Sequence, residues 1–178
     1  LTMQVISGVS GVADRLGRVR IYVGVILTYL VALTIACFVV TGDWRTPDGI
    51  LMGVTFAAGA ACLAFCGLGL AEVVSCVLMY PVPSMEKPFA TPQGRAVAQG
   101  FFPLVYLLGM FVLAVPSGLV AVVLAVAGQW DMYWVLIPVF LLNGVGFLAL
   151  GSWLGGKLMD ARMLSIVATL DSFASLQK

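Results

Sequence analysis

No histidine occurs anywhere in the chain, and only 10% of its 178 residues are charged. The first absence removes the usual metal ligand and the side chain that most often serves as a base near neutral pH. The second is incompatible with a soluble domain, which carries about 25% charged residues. With 62% of residues hydrophobic, too few polar groups remain to cover a water-facing surface. Nine basic and eight acidic residues leave a net charge of +1, so no basic patch is present to neutralise nucleic-acid phosphates. Disorder is excluded by the same composition. Also missing are a G-x-x-x-x-G-K-[ST] phosphate loop and a G-x-S-x-G nucleophile elbow, so no catalytic activity is expected by those routes. Cysteine is scarce as well. Cys37, Cys62, Cys66 and Cys76 all lie in apolar runs, where a thiol behaves as a small hydrophobe and not as part of a secreted disulfide framework. The first long apolar run, 21–40, is too long for a signal-peptide core and has no A-x-A site after it. The composition is that of an all-α integral membrane protein.

What charge there is divides the chain. Arg20 to Asp43 encloses 22 uncharged residues, Asp48 to Glu72 encloses 23, Arg95 to Asp131 encloses 35, and Asp131 to Lys157 encloses 25. A bilayer crossing takes about 20 mostly apolar residues at 1.5 Å each. The expected spans are therefore 21–40, 50–76, 101–127 and 134–154. The 35-residue gap is too long for one straight crossing and too short for two. Pro116-Ser117-Gly118 lies near its middle, so the expectation is one helix kinked at Pro116. The rival is a crossing to Pro116 followed by a re-entrant segment, 119–127, shielded by protein.

Orientation follows from the basic residues. Arg15, Arg18 and Arg20 precede the first span, Lys87 and Arg95 lie between the second and third, and Lys157, Arg162 and Lys178 follow the fourth. Only Arg45 falls in the opposite set of loops. With both termini cytoplasmic, eight basic residues lie inside and one outside, as the positive-inside rule requires. Trp44, Trp130, Tyr133 and Trp134 gather at the expected outer interface and Trp153 at the inner one. The picture is a four-span bundle, N-in and C-in, with a cytoplasmic loop at 81–100 and a cytoplasmic tail at 157–178. Val5, Val9, Val12, Leu16 and Val19 recur at helical spacing, which predicts an amphipathic interfacial helix leading into the first span.

Few residues are candidates for chemistry. Glu72 is the only charged residue inside the apolar stretch 50–80, and an intramembrane carboxylate is by default a functional hypothesis, here an ion or proton relay. Counted from residue 50, however, Glu72 lies about 33 Å along the helix, deep enough to reach the inner headgroups. An interfacial or structurally paired role is therefore the expectation. Asn143 in the fourth span is expected to bond across helices, with a pathway-lining role as the alternative. Cys62 and Cys66 share a helix face and could hold a soft metal with Met partners. No Met is close in sequence and no second Cys pair exists, so packing is the expected role and no metal is assigned. Small residues are regular. Ala57, Ala60, Ala61 and Ala64 run along the second span, and Gly151 with Gly155 forms a G-x-x-x-G in the fourth. Such faces let helices approach closely in lipid.

The loop after the second span reads Tyr80-Pro81-Val82-Pro83, then Lys87-Pro88-Phe89-Ala90, then Gly94. The last span runs into Gly155-Gly156-Lys157-Leu158-Met159-Asp160-Ala161-Arg162. This arrangement over residues 50–178 resembles the C-terminal portion of ABC-2-type exporter permeases of Gram-positive, especially actinobacterial, type. The resemblance implies a multi-pass protein of the bacterial plasma membrane that exports a hydrophobic or amphiphilic substrate. Work would come from a separate cytoplasmic ATP-binding-cassette ATPase subunit, which would hold the ATP; no cofactor is expected in this chain. Pro81, Pro83, Pro88 and Phe89 match the family loop and are candidates to face that ATPase. Permeases of this family carry six spans per half. Four spans here, and Leu as residue 1, imply either two missing helices or a likeness confined to the last two-thirds of the fold. Further permease helices, or a second copy, would complete the pore, with lipid around it. Two other classes compete: a small polytopic accessory or scaffold subunit with no transport activity, and a secondary carrier that uses Glu72 as its coupling carboxylate.

Overall fold

The computed structural model describes residues 10–77 and 96–175, and among these the regular structure is helical, with no strand. Helix α1 spans Gly11–Thr41, α2 Pro47–Val77, α3 Ala96–Val126 and α4 Leu136–Ser175, with short 3-10 turns at Asp43–Arg45 and Trp130–Val135. All four helices are long and apolar enough to cross a membrane, which makes this a multi-pass membrane protein in architecture. Local chemistry places the helix ends. Ser10 caps α1 by accepting from the Ala13 amide at 3.3 Å. Gly42, at φ 76°, ends it in the left-handed region, where a residue without Cβ is unstrained. Pro47 opens α2, at the one helical position where a missing N–H costs nothing. Within the spans, Thr28, Thr34, Thr41 and Thr55 donate their hydroxyls to carbonyls four residues back, so none is left unsatisfied in lipid.

The helices begin and end elsewhere than the hydropathy boundaries. At 31 residues, α1 is about 46 Å long, well beyond the roughly 30 Å hydrocarbon core. Residues 11–20 are its opening turns, continuous with the span, and residues 1–9 of the expected interfacial helix lie outside the described residues. Of the segment read as loop 81–100, residues 96–100 are the start of α3. Likewise α4 continues without a break from the fourth span through Lys157, Asp160 and Arg162 to Ser175. Hydropathy marks where lipid ends, whereas charged residues such as Lys and Arg are good helix formers and let the helix run on. The proline question has a definite outcome: α3 passes through both Pro103 and Pro116 as one helix to Val126, with no separate segment at 119–127.

Helix α2 is the central element, and its most extensive contact is with α4. Thr55, Ala58, Cys62, Phe65, Gly69, Glu72 and Cys76 are buried along it. Their alternating spacing of three and four is the seam of a left-handed helix pair. On α4 the facing residues are Gly144, Gly151 and Gly155. A Cβ on Gly144 would lie 2.9 Å from Cys62 Cα, one on Gly155 would lie 2.6 Å from the Glu72 carbonyl oxygen, and one on Gly151 would overlap the Gly69 backbone. Both helices advance together through these contacts, so α2 and α4 run parallel. Ala61 is buried in this region, while Ala57 is half-buried and lines the groove facing α1. Helix α1 runs antiparallel on one side, with Phe38 resting on Gly53 near one end and Gly11 against Gly156 at the other. Helix α3 runs antiparallel on the other side, with Met110 against Gly67 and Leu70 against Gly109.

Candidate functional site

The polar side chains of the bundle converge at two levels. The first is at the end shared by the start of α1, the end of α2 and the middle of α4. Gly11, Arg15 and Val19 recur every four residues and are buried on one face of α1, which carries the Arg15 guanidinium inward to α2. One Arg15 Nη donates to Glu72 Oε2 at 2.7 Å and to Ser75 Oγ at 2.7 Å. The other donates to Cys76 Sγ at 3.0 Å. Glu72 is only 5% exposed, and the burial of both charges is compensated by this pairing. Cys76 Sγ lies 3.3 Å from the Gly155 carbonyl oxygen as donor, extending the cluster to α4. Ser75 Oγ donates to the Glu72 carbonyl at 3.0 Å. A few ångströms along, the Gly11 amide donates to Asp160 Oδ1 at 2.8 Å, so a carboxylate of α4 sits at the N-terminus of α1, where the helix dipole favours it. Three helix segments are thereby tied at one end.

The second level lies mid-span. Asn143 on α4 donates through Nδ2 to the Leu113 carbonyl of α3 at 3.1 Å and to Cys62 Sγ of α2 at 3.4 Å. Cys62 Sγ also faces Ser117 Oγ at 4.0 Å. Pro116 has no amide to give the Val112 carbonyl, which is the neighbour of the Leu113 carbonyl that Asn143 reaches. Asn143 therefore stitches three helices together. Replacing it with leucine is expected to cost about 0.6–1.7 kcal/mol, the range for interhelical hydrogen bonds in bilayers. A thermal unfolding scan of the purified protein should show the midpoint falling by about 2–5 °C.

These placements bring Glu72 and Gly155 into one cluster, and Asn143 and Cys62 into the other. Pro81, Pro83, Pro88 and Phe89 lie outside the described residues. Among the described residues no three His, Cys, Asp or Glu side chains come together as a metal site would need. Arg15, Ser75, Cys76 and Ser117 were not singled out from sequence. Arg15 carried one usable signal: it falls on a four-residue repeat with Gly11 and Val19, two residues suited to a buried face. Ser117 is fully buried, and beside a proline nothing in the sequence distinguishes it from a turn residue. Comparison of the chain with family models, with curated proteins and with solved structures finds no match.

Proposed function

We propose that the chain is the transmembrane subunit of an ABC-type exporter, with the bundle end that carries Arg15 and Lys157 facing the cytoplasm. The observation that carries this reading is the locked end of the bundle. Arg15, Glu72, Cys76 and the Gly155 carbonyl join α1, α2 and α4 immediately before the segment 78–95, which holds the Pro-rich motif resembling the family's loop. A push delivered there by an ATPase would move the three tied segments as one body. Two further features support it. Among the described residues, Arg15, Arg18, Arg20, Lys157 and Arg162 lie towards that end and Arg45 alone towards the other, in line with a cytoplasmic assignment. The single carboxylate of the apolar stretch, Glu72, is occupied by Arg15, which leaves it poorly placed to couple transport to an ion gradient as a secondary carrier would need.

Affinity capture of the full chain from native membranes tests the proposal. The expected result is co-purification of an ATP-binding-cassette subunit whose ATPase activity is retained in the complex. Recovery of other membrane enzymes with no ATPase would favour the scaffold class instead. Orientation has its own measurement. A cysteine introduced at Gln129, in a chain lacking the native cysteines, should react with a membrane-impermeant thiol reagent only from outside, and one at Ala90 only after the cytoplasmic side is opened.

A further inference from the structure

At the end of the bundle opposite the Arg15 cluster, a half-open cleft of about 520 Å3 lies between α2, α3 and the Trp130–Val135 turn leading into α4. Its volume is that of a small-molecule site. Gly59 and Ala60 of α2 and Ala114, Gly118 and Ala121 of α3 form facing walls. Elsewhere in this protein small residues on facing helices bring backbones into contact, as Gly69 and Gly151 do. Here they do not: a Cβ on Gly118 would meet nothing within 4 Å. The walls are also chemically spent. Thr55 gives its hydroxyl to the Leu51 carbonyl at 2.8 Å, and Cys62 is engaged by Asn143 and Ser117. What remains is hydrocarbon, which favours an alkyl chain and offers an ion or water nothing to bind. Along α2 the lining runs from Met52 to Leu63, a depth of about 17 Å.

The rim has a different character. Trp130 stacks on Tyr133 with ring centroids 6.4 Å apart, and Tyr133 donates to the Asp48 carbonyl at 3.3 Å. Aromatic pairs of this kind sit at headgroup level in a bilayer. Asp131 lies between the two rings in sequence, and the Asp131 and Asp48 residues are both exposed. Neither is in a salt bridge among the described residues, and Arg45, the one basic residue towards this end among them, lies over the Trp44 ring at 5.4 Å from its centroid. Asp131 is on the same turn as Trp130, and Asp48 is the residue whose carbonyl Tyr133 reaches; exposed carboxylates on these segments complement an ammonium group by charge, and an indole adds attraction through its ring face. We propose that this cleft binds the alkyl chain of a single-chain cationic amphiphile, with its ammonium head at Trp130, Asp131 and Asp48. The site stands on the cleft itself and does not depend on an ATPase partner.

Tryptophan quenching reads this out. The full chain, with Trp44, Trp134 and Trp153 replaced by phenylalanine so that Trp130 reports alone, is placed in nanodiscs of zwitterionic phospholipid. The probe is an alkyltrimethylammonium of about twelve carbons, brominated near its head, compared with the matching brominated sulfonate; a chain of that length suits the depth of the cleft. The expected result is saturable quenching by the ammonium probe above the linear background of bilayer partitioning, with the sulfonate at least about fivefold weaker. Combining Asp131→Asn with Asp48→Asn should weaken the ammonium probe by up to about fivefold, the range for exposed charge pairs. Gly118→Leu, which fills the cleft, should weaken it about tenfold through lost packing contacts; Ala121→Leu serves the same purpose should the first variant not fold. Linear quenching alone, equal for both probes, would overturn the proposal. So would saturable quenching that survives both filling variants. So too would a dimer that occludes the cleft, seen as a smaller assembly in Gly118→Leu with no saturable quenching in the parent.

Discussion

Replacing Gly151 with leucine is expected to force α2 and α4 apart and to cost more than about 3 kcal/mol, the upper range for overpacking a well-fitted interior. Even a Cβ at this position overlaps the Gly69 backbone, and a backbone cannot move aside as a flexible side chain can. Relief must come from translating one helix, and the neighbouring contacts along the same seam would be lost with it. Gly144 against Cys62 and Gly155 against Glu72 are spaced so that their Cβ positions would lie 2.9 Å and 2.6 Å from the partner. In lipid, no hydrophobic drive holds separated helices together, because the tails are as apolar as the side chains. The loss of packing is therefore uncompensated. The thermal unfolding midpoint in detergent should fall by about 6–12 °C. Gly146 provides the control on the same helix, since a Cβ there meets nothing within 4 Å. Gly146→Leu should leave the midpoint almost unchanged. Equal midpoints for the two variants would mean that the Gly151 face is not the α2–α4 contact.

The number of spans was legible in the sequence because charge is excluded from hydrocarbon. Asp43, Asp48 and Asp131 sit at or beyond the ends of the helices they flank, Lys157 follows the uncharged first half of α4, and four gaps between charges became four long apolar helices. Helix ends were less legible. Solvation energy stops acting at the headgroups, while hydrogen bonding and propensity carry α4 on to Ser175. The G-x-x-x-G of Gly151 and Gly155 marked one side of the closest pair. Its partner stripe on α2 was harder to read, since Ala57, Ala60 and Ala64 fall outside the buried face of that helix. The face in contact follows Ala58, Cys62, Phe65, Gly69 and Glu72, and Ala57 points into the α1 groove. Small size permits close approach without choosing the direction. The Arg15–Glu72 pair shows the same limit from another side. The two residues are 57 apart in sequence, and a carboxylate at a helix end looks the same from sequence whether it meets lipid headgroups, water or a guanidinium.

That pair carries the second large expected effect. Glu72→Ala or Arg15→Ala should each destabilise the protein by about 3–5 kcal/mol, because each leaves the opposite charge buried without its partner. Arg15 has the most to lose: its guanidinium reaches Glu72, Ser75 and Cys76 at once, and its Nε has no hydrogen-bond partner among the described residues. The double variant Arg15→Leu with Glu72→Leu removes both charges and keeps apolar volume in the space between α1 and α2. It should recover most of the lost stability, since a buried ion pair exchanged for well-packed hydrophobic groups is often neutral or better. A double-mutant cycle closed with the single variants Arg15→Leu and Glu72→Leu, read as unfolding free energies, gives the coupling directly, and a coupling near zero would show that the two side chains act independently. The same variants separate structure from energy transduction. If Glu72 were the coupling carboxylate of a secondary carrier, Glu72→Gln would abolish gradient-driven uptake in vesicles, and the double variant would be stable but inactive. With the pair acting as a tie between helices, the double variant keeps whatever transport the intact assembly performs. Any remaining loss would then scale with stability, as expected of a Glu72 that holds the start of α1 against the end of α2.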